Sequence, residues 1–327
     1  MERIYLSIAA LILAYLLDYL IGDPPGLPHP VRFLGRVVSG LEKLARHQFK
    51  TPAGLKAAGA LIVMIAAGGS LLAAIVLIEG AYRIHDLVGL IIELYILFTV
   101  LAGGDLRKHV DRVSGDLKSG RLNRARSSVA MLVSRDTTEL NESGVSRASL
   151  ESLFENSADG LVAPLFFIAL GGAPLAVFYK AVNTLDSMLG YLNDEYKDLG
   201  YFPAKLDDIL SFIPSRLTAI LLVLAGGYEK TSRRGLRVLL RDRGKHNSPN
   251  SAWPEAAAAG VLGLKFGGPD YYHGRLKKQP VINAAGRDPG PDDIPRGLEL
   301  FRRISVIAFG CSAVIYYLFL SREVFAL

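Results

Sequence analysis

The sequence predicts an all-α integral membrane protein. Three observations carry that reading. Several apolar stretches approach the roughly 20 residues that cross a bilayer. Half of the 327 residues are apolar and 21% are charged, with a mean hydropathy of +0.30. The bases are segregated along the chain, although the net charge is only +6. One cysteine, Cys311, excludes a disulfide scaffold and a zinc site built on several thiolates. The 33 glycines and 16 prolines follow no period, which excludes collagen-like chains. There is no internal repeat and no low-complexity tract.

Four firm spans are expected, near 4–21, 57–78, 87–104 and 304–320. The first (IYLSIAALILAYLL, extended past Asp18) is followed by Gly22-Asp23-Pro24-Pro25, not by a small-residue cleavage site. It therefore reads as an uncleaved helix. The second carries no charge, and the third holds Glu93. Two further apolar segments, 161–179 and 209–227, read as re-entrant or buried helices. Gly171-Gly172-Ala173-Pro174 splits one into half-helices, and Pro214 with Arg216 shortens the other. Under the positive-inside rule, the loop 22–52 and the long stretch 104–303 face the cytoplasm. Six spans also satisfy the rule. The preferred reading is a single membrane-embedded domain, 1–327, with its polar stretches 105–160, 182–208 and 228–303 as helical cytoplasm-facing loops. Residues 274–297, rich in Gly, Pro, Lys and Asp, read as an exposed loop.

Five motifs could carry chemistry. In GDPPGLPHPVR, four prolines stiffen the chain around Asp23, His29 and Arg32. After Ser146, read as an N-cap, Arg147, Glu151, Glu155 and Asp159 recur every fourth residue. That spacing puts them on one helical stripe flanked by Asn156. The stripe is either a solvated ion-pair face or, because neighbouring carboxylates repel, a Mg²⁺-binding face suited to ligands that bring phosphates. Asn183-Thr184-Leu185-Asp186 follows the broken apolar segment. Lys205-Leu206-Asp207-Asp208 precedes Ile213-Pro214-Ser215-Arg216. Adjacent acids beside an apolar helix are costly unless paired or metal-bound, although first-turn acids also suit the helix dipole. Finally, His246-Asn247-Ser248-Pro249-Asn250-Ser251-Ala252-Trp253-Pro254-Glu255 reads as a helix opening. Its free amides suit a phosphate, and its alanine run suits close helix packing. After it, Gly267-Gly268-Pro269 and Tyr271-Tyr272-His273-Gly274 read as a turn. Nucleotide-binding glycine loops, Gly-x-Ser-x-Gly and HExxH are absent from the sequence. The basic run Lys230–Lys245 lacks interleaved aromatics, so anionic lipid or substrate suits it better than nucleic acid.

These blocks, in this order, resemble the integral-membrane cobinamide-phosphate synthase family of cobalamin biosynthesis. The carrying stretches are GDPPGLPHPVRFLGR, SRDTTEL, VSRASLESLFENSADGLVAPLFF, YKAVNTLDSMLGY, AKLDDILSFIPSRL and SPNSAWPEAAAAGVLGLKFGGPDYYHG, within roughly 18–274. Ser134 and Ser251-Ala252 depart from the expected pattern. The resemblance implies a carbon–nitrogen ligase in the cell membrane. It would join (R)-1-amino-2-propanol, or its O-phosphate, to the free propionate of adenosylcobyric acid at the expense of ATP, with Mg²⁺. On that reading Glu151, Glu155, Asp159 and Asp208 hold metal. Arg135, Arg147, Lys205 and Arg216, with Asn156, Asn183 and Asn250, hold the phosphates. Asp186, His246 and Asp207 serve the chemistry, Asp186 and His246 as proton acceptors. Other membrane enzymes of the late pathway are implied as partners. The rival readings are a transporter, suggested by broken helices and the intramembrane acids Asp18 and Glu93, a lipid-alcohol phosphotransferase, and a structural subunit of a corrinoid-making complex.

Overall fold

The computed structural model describes residues 2–24, 26, 29–191, 193–246, 248–272 and 274–325. Parts of three motifs, namely Pro25, Leu27, Pro28, Asn247 and His273, lie outside the described residues. The protein is a helical membrane protein. Four helical stretches have the length and apolarity of a span: Arg3–Ile21, Pro52–Ile84, Glu142–Leu189 and Asp293–Ser321. Two further pairs, Asp86–Val100 with Gly103–Lys118 and Tyr201–Leu210 with Phe212–Ala225, qualify only when each pair is counted together. The expected span 87–104 thus stops at Val100. The segment 161–179, expected to be partly inserted, belongs to one of the long apolar stretches instead. Its break is real: Gly171 and Gly172 leave helical geometry, Gly172 at φ +65°.

The described residues group into two compact units. The first takes residues 1–102, 163–211 and 309–327. Its core joins Leu34, Val38 and Ala45 of the amphipathic helix Pro30–Gln48 to Ala58, Ile62 and Ala66, and to Val182, Leu185 and Leu189. Spacings of four and seven put Leu34, Val38 and Ala45 on one face, and this alone buries the helix. Pro30 opens it, and the His29 Nδ1 accepts the Val31 N–H at 3.2 Å as its cap.

The second unit takes residues 103–162 and 212–308. Here Ala256, Ala257, Ala258 and Ala259 are fully buried in the helix Ala252–Leu262. The small residues let it approach the helix Glu229–Asp242 closely: a Cβ on Gly260 would lie 2.8 Å from the Gly235 Cα. The close-packing explanation of the alanine run therefore holds. Gly263, at φ +75°, ends that helix, and its N–H bonds the Ala259 carbonyl.

Two expectations fail here. Residues 266–282 form an antiparallel hairpin, β1 (Phe266–Tyr272) with β2 (Arg275–Ile282), where a turn and an exposed loop were expected. The rest of 274–297 is not all exposed either. Asn283 is buried, and its side chain donates to the Leu264 carbonyl at 2.8 Å. Asp293, also buried, opens the long C-terminal helix. Ser146 is likewise no cap: it is buried one turn inside a helix that begins at Glu142. Asn141 caps that helix, its Oδ1 accepting the Gly144 N–H at 2.8 Å.

Candidate functional site

The helix Glu142–Ser157 presents Arg147, Glu151 and Glu155 along one face, as the four-residue spacing requires. The face is not solvated. β1 lies against it through a bulge at Gly267, where φ is +73° and a Cβ would come within 2.2 Å of the Pro280 carbonyl, so only glycine fits. The Gly267 N–H donates to the Glu151 Oε1 at 2.6 Å, and the Gly267 carbonyl accepts from Arg147 at 2.7 Å. Asp270 then bridges two guanidiniums, Arg147 at 2.5 Å and Arg135 at 2.8 Å. Arg135 also meets Glu151 at 2.7 Å. The SRDTTEL loop joins this lattice: the Asp136 N–H donates to the Tyr271 carbonyl at 2.8 Å, and the Asp136 carboxylate accepts the Gly274 N–H at 2.7 Å. Burial pushes the Asp270 carboxyl above its ordinary range, with Arg135 and Arg147 opposing. Two arginines and two acids cancel, so Arg135 and Arg147 serve first to hold the hairpin.

Beyond this lattice opens a cleft of about 290 Å³ lined by Arg135, Glu155, His246, Glu255 and Lys277, among others. Glu155, His246 and Glu255 converge there, each offering one ligand atom within 4.8 Å of the others. Glu255 is only 7% exposed and accepts no hydrogen bond among the described residues. Burial first, then Glu155 and Glu151, hold its carboxyl well above the usual range, with Arg135 opposing. The His246 Nδ1 accepts the Ser248 N–H at 3.0 Å. Lys245 is engaged elsewhere, with Asp242 at 2.9 Å and the Val281 carbonyl at 3.0 Å. Lys277, exposed, stands over the Tyr272 ring at 5.3 Å.

The acids of 183–208 lie in the other unit. Asp207, 9% exposed, accepts long hydrogen bonds from the Asn183 amide at 3.3 Å and the Ser211 hydroxyl at 3.4 Å, and it feels both Asp186 and Asp208. Lys205 reaches Asp208 at 3.7 Å from an exposed position. Asp186 packs over Gly190, where a Cβ would lie 1.9 Å from its carboxylate. Glycine is thus fixed in the motif NTLDSMLG by the acid four residues before it. On the same unit, burial lowers the His29 imidazole below its ordinary value, Asp23 opposing and Arg32 and Lys180 adding to the effect.

The remaining candidates have local duties. Asn156 donates to the Ser152 carbonyl at 2.9 Å. Asp159 falls in a π-helical turn, Ala158–Val162, which breaks the stripe's phase after Glu155. Arg216 donates to the Asn250 side chain at 2.6 Å and the Pro249 carbonyl at 3.1 Å, and stacks on Phe212 and Trp253. Arg216 and Asn250 thereby fasten the SPN turn to the helix Phe212–Ala225. Sequence reasoning missed Asp270, Lys277 and Glu255 as site residues. Glu255 stands in the sequence only as part of a helix opening, and the hairpin that brings Asp270 and Lys277 has no clear local pattern.

The model of the CobD/Cbib protein family matches residues 11–301. Cobalamin biosynthesis protein CobD of Klebsiella pneumoniae and cobalamin biosynthesis protein CbiB of Salmonella typhimurium are each 40% identical to this chain over 304 residues. The matches cover 93% of the chain and 95% of each relative. No solved structure matches. The chain belongs to the CobD/CbiB family.

Proposed function

We propose, from that membership, that the chain acts in the cobinamide branch of cobalamin biosynthesis, as an ATP-dependent ligase. It joins (R)-1-amino-2-propanol or its O-phosphate to the free propionate of adenosylcobyric acid. A carboxylate is a poor acyl donor. The propionate oxygen therefore attacks the γ-phosphorus of ATP, ADP leaves, and the acyl phosphate is opened by the amine. Amide and inorganic phosphate result, and one proton leaves the nitrogen.

The observation that carries this reading is the cleft in which Glu155 and Glu255 meet without a donor among the described residues while Lys277 stands exposed at its wall. Two carboxylates fit Mg²⁺ held jointly with phosphates. Glu155 and Glu255 would hold it, and it would neutralise phosphate charge. Glu151, expected as a ligand, is instead taken by Arg135 and the Gly267 N–H. Among the described residues of the cleft Lys277 is the cation left for phosphate oxygens, and Arg135 and Arg147 keep the cleft wall in place. Of the two expected proton acceptors, His246 has its Nδ1 lone pair already occupied by the Ser248 N–H, and Asp186 belongs to the other unit. The density of Lys and Arg in 104–303 supports a site on the cytoplasmic side.

A transporter reading leans on the intramembrane Glu93. That acid accepts hydroxyl hydrogen bonds from Ser7, Tyr82 and Tyr316, which accounts for its burial structurally.

The test is oxygen-isotope transfer. Adenosylcobyric acid labelled with ¹⁸O in the propionate should pass one label to inorganic phosphate during turnover. Turnover with unlabelled phosphate contradicts the acyl phosphate.

A further inference from the structure

We propose that Glu155 and Glu255 hold one divalent cation of the hard, oxygen-seeking class, Mg²⁺ or Mn²⁺, and that His246 stands beside it as a hydrogen-bond donor, not as a ligand. The proposal rests on the ligation reading for its purpose, but cation binding is measured without turnover.

Three observations lead here. First, the Glu155, His246 and Glu255 ligand atoms lie within 4.8 Å of one another, yet no hydrogen bond or ion pair among the described residues joins them. Second, Glu255 is more than nine-tenths buried, lines the cleft and accepts no hydrogen bond among the described residues. Of the cations lining the cleft, Arg135 is engaged with Glu151 and Asp270 and Lys245 with Asp242, and Lys277 makes no ion pair with either carboxylate among the described residues. A buried carboxylate beside a second one is costly unless it takes up a proton or a cation joins the pair. Third, the imidazole is oriented. The Ser248 N–H points at the His246 Nδ1 at 3.0 Å, so Nδ1 carries the lone pair and the neutral ring carries its proton on Nε2. A protonated Nε2 donates and cannot ligate.

The same contact recurs at His29 with Val31, 3.2 Å, and at His85 with Leu87, 3.1 Å. It is a repeated local turn of this chain, independent of any cation. With the imidazole outside the ligand set, the donors are oxygens alone. Such a set favours Mg²⁺ and Mn²⁺, whereas a set with one imidazole favours Zn²⁺ or Cu²⁺.

The experiment titrates Mn²⁺ into the full-length protein in detergent, reads free Mn²⁺ by electron paramagnetic resonance, and competes it with Mg²⁺. Wild type should bind one Mn²⁺ that Mg²⁺ displaces. Glu255→Gln and Glu155→Gln should each weaken binding by about tenfold or more. His246→Asn, whose side-chain oxygen can still accept the Ser248 N–H, should stay within about threefold of wild type. The proposal is overturned if wild type binds no Mn²⁺, if both glutamine variants bind as wild type, or if His246→Asn loses as much as Glu255→Gln. Should Glu255→Gln not fold, the partly exposed Glu155 carries the same test. Loss of ligation with Mn²⁺ binding intact counts against the reaction. Absence of Mn²⁺ binding with ligation intact counts against the cation site.

Discussion

Glu93 and Glu255 are equally hidden and differently treated. Glu93, 4% exposed in the first unit, accepts the Ser7 hydroxyl at 2.9 Å, the Tyr82 hydroxyl at 2.7 Å and the Tyr316 hydroxyl at 3.4 Å. Glu255, 7% exposed in the second, accepts nothing among the described residues and has Glu155 and Glu151 nearby. Buried polar groups in folded proteins are almost always bonded. Hydroxyl donors explain Glu93 as part of the fold. Glu255 is unexplained by the fold, and that is the mark of a group kept for a ligand. Burial alone does not separate the two; the inventory of donors does.

Glu155→Gln removes the acid that shares the cleft with Glu255, and Asp207→Asn neutralises the weakly bonded acid of the other unit. Each should lower corrinoid-dependent turnover by about 10²-fold or more, in line with lost electrostatic or proton-transfer groups. Membrane insertion and detergent melting should remain as in wild type. Wild-type turnover in either variant shows that the acid it replaces is not needed for the reaction.

A smaller effect sharpens the other end. Asp242 is a buried acid with its donors complete: Arg241 at 2.8 Å, Lys245 at 2.9 Å and the Asn283 N–H at 2.7 Å. Burial works against its charge, but these contacts prevail and hold its carboxyl far below the ordinary range. Its folded pKa is depressed, so its stabilisation is present above the unfolded value of about 4 and is lost as pH falls through the folded one. Asp242→Asn should therefore cost about 1–3 kcal/mol at neutral pH and flatten the acid limb of the melting curve below pH about 4. An unchanged acid limb places Asp242 outside the structural class.

The spans were legible because hydropathy needs no tertiary partner, and the break at Gly171-Gly172 because paired glycines ahead of Pro174 cannot hold a helix. The hairpin was not. Gly267, Gly268 and Pro269 interrupt the alternation of β1, and Lys277, Lys278 and Pro280 make β2 read as loop. With the hairpin hidden, Asp270 was invisible, and Arg135 and Arg147 read as free phosphate clamps. The four-residue spacing of Arg147, Glu151 and Glu155 located the right face. What met that face came from more than a hundred residues away, which no local pattern records. Glu255 failed for a subtler reason: an acid in a first turn has a sufficient local explanation in the helix dipole, and only its burial without a donor shows that this is incomplete.

An acid without a donor among the described residues marks the reactive cleft. Phosphate release that depends on both adenosylcobyric acid and aminopropanol, measured for Glu255→Gln and Glu93→Gln and normalised to folded protein, tests it most directly. Glu255→Gln should lose about 10²-fold or more while melting like wild type. Glu93→Gln should melt earlier, from a loss of about 1–3 kcal/mol, and turn over normally once folded. The reverse pattern, an active Glu255→Gln beside a stable but inactive Glu93→Gln, contradicts the account.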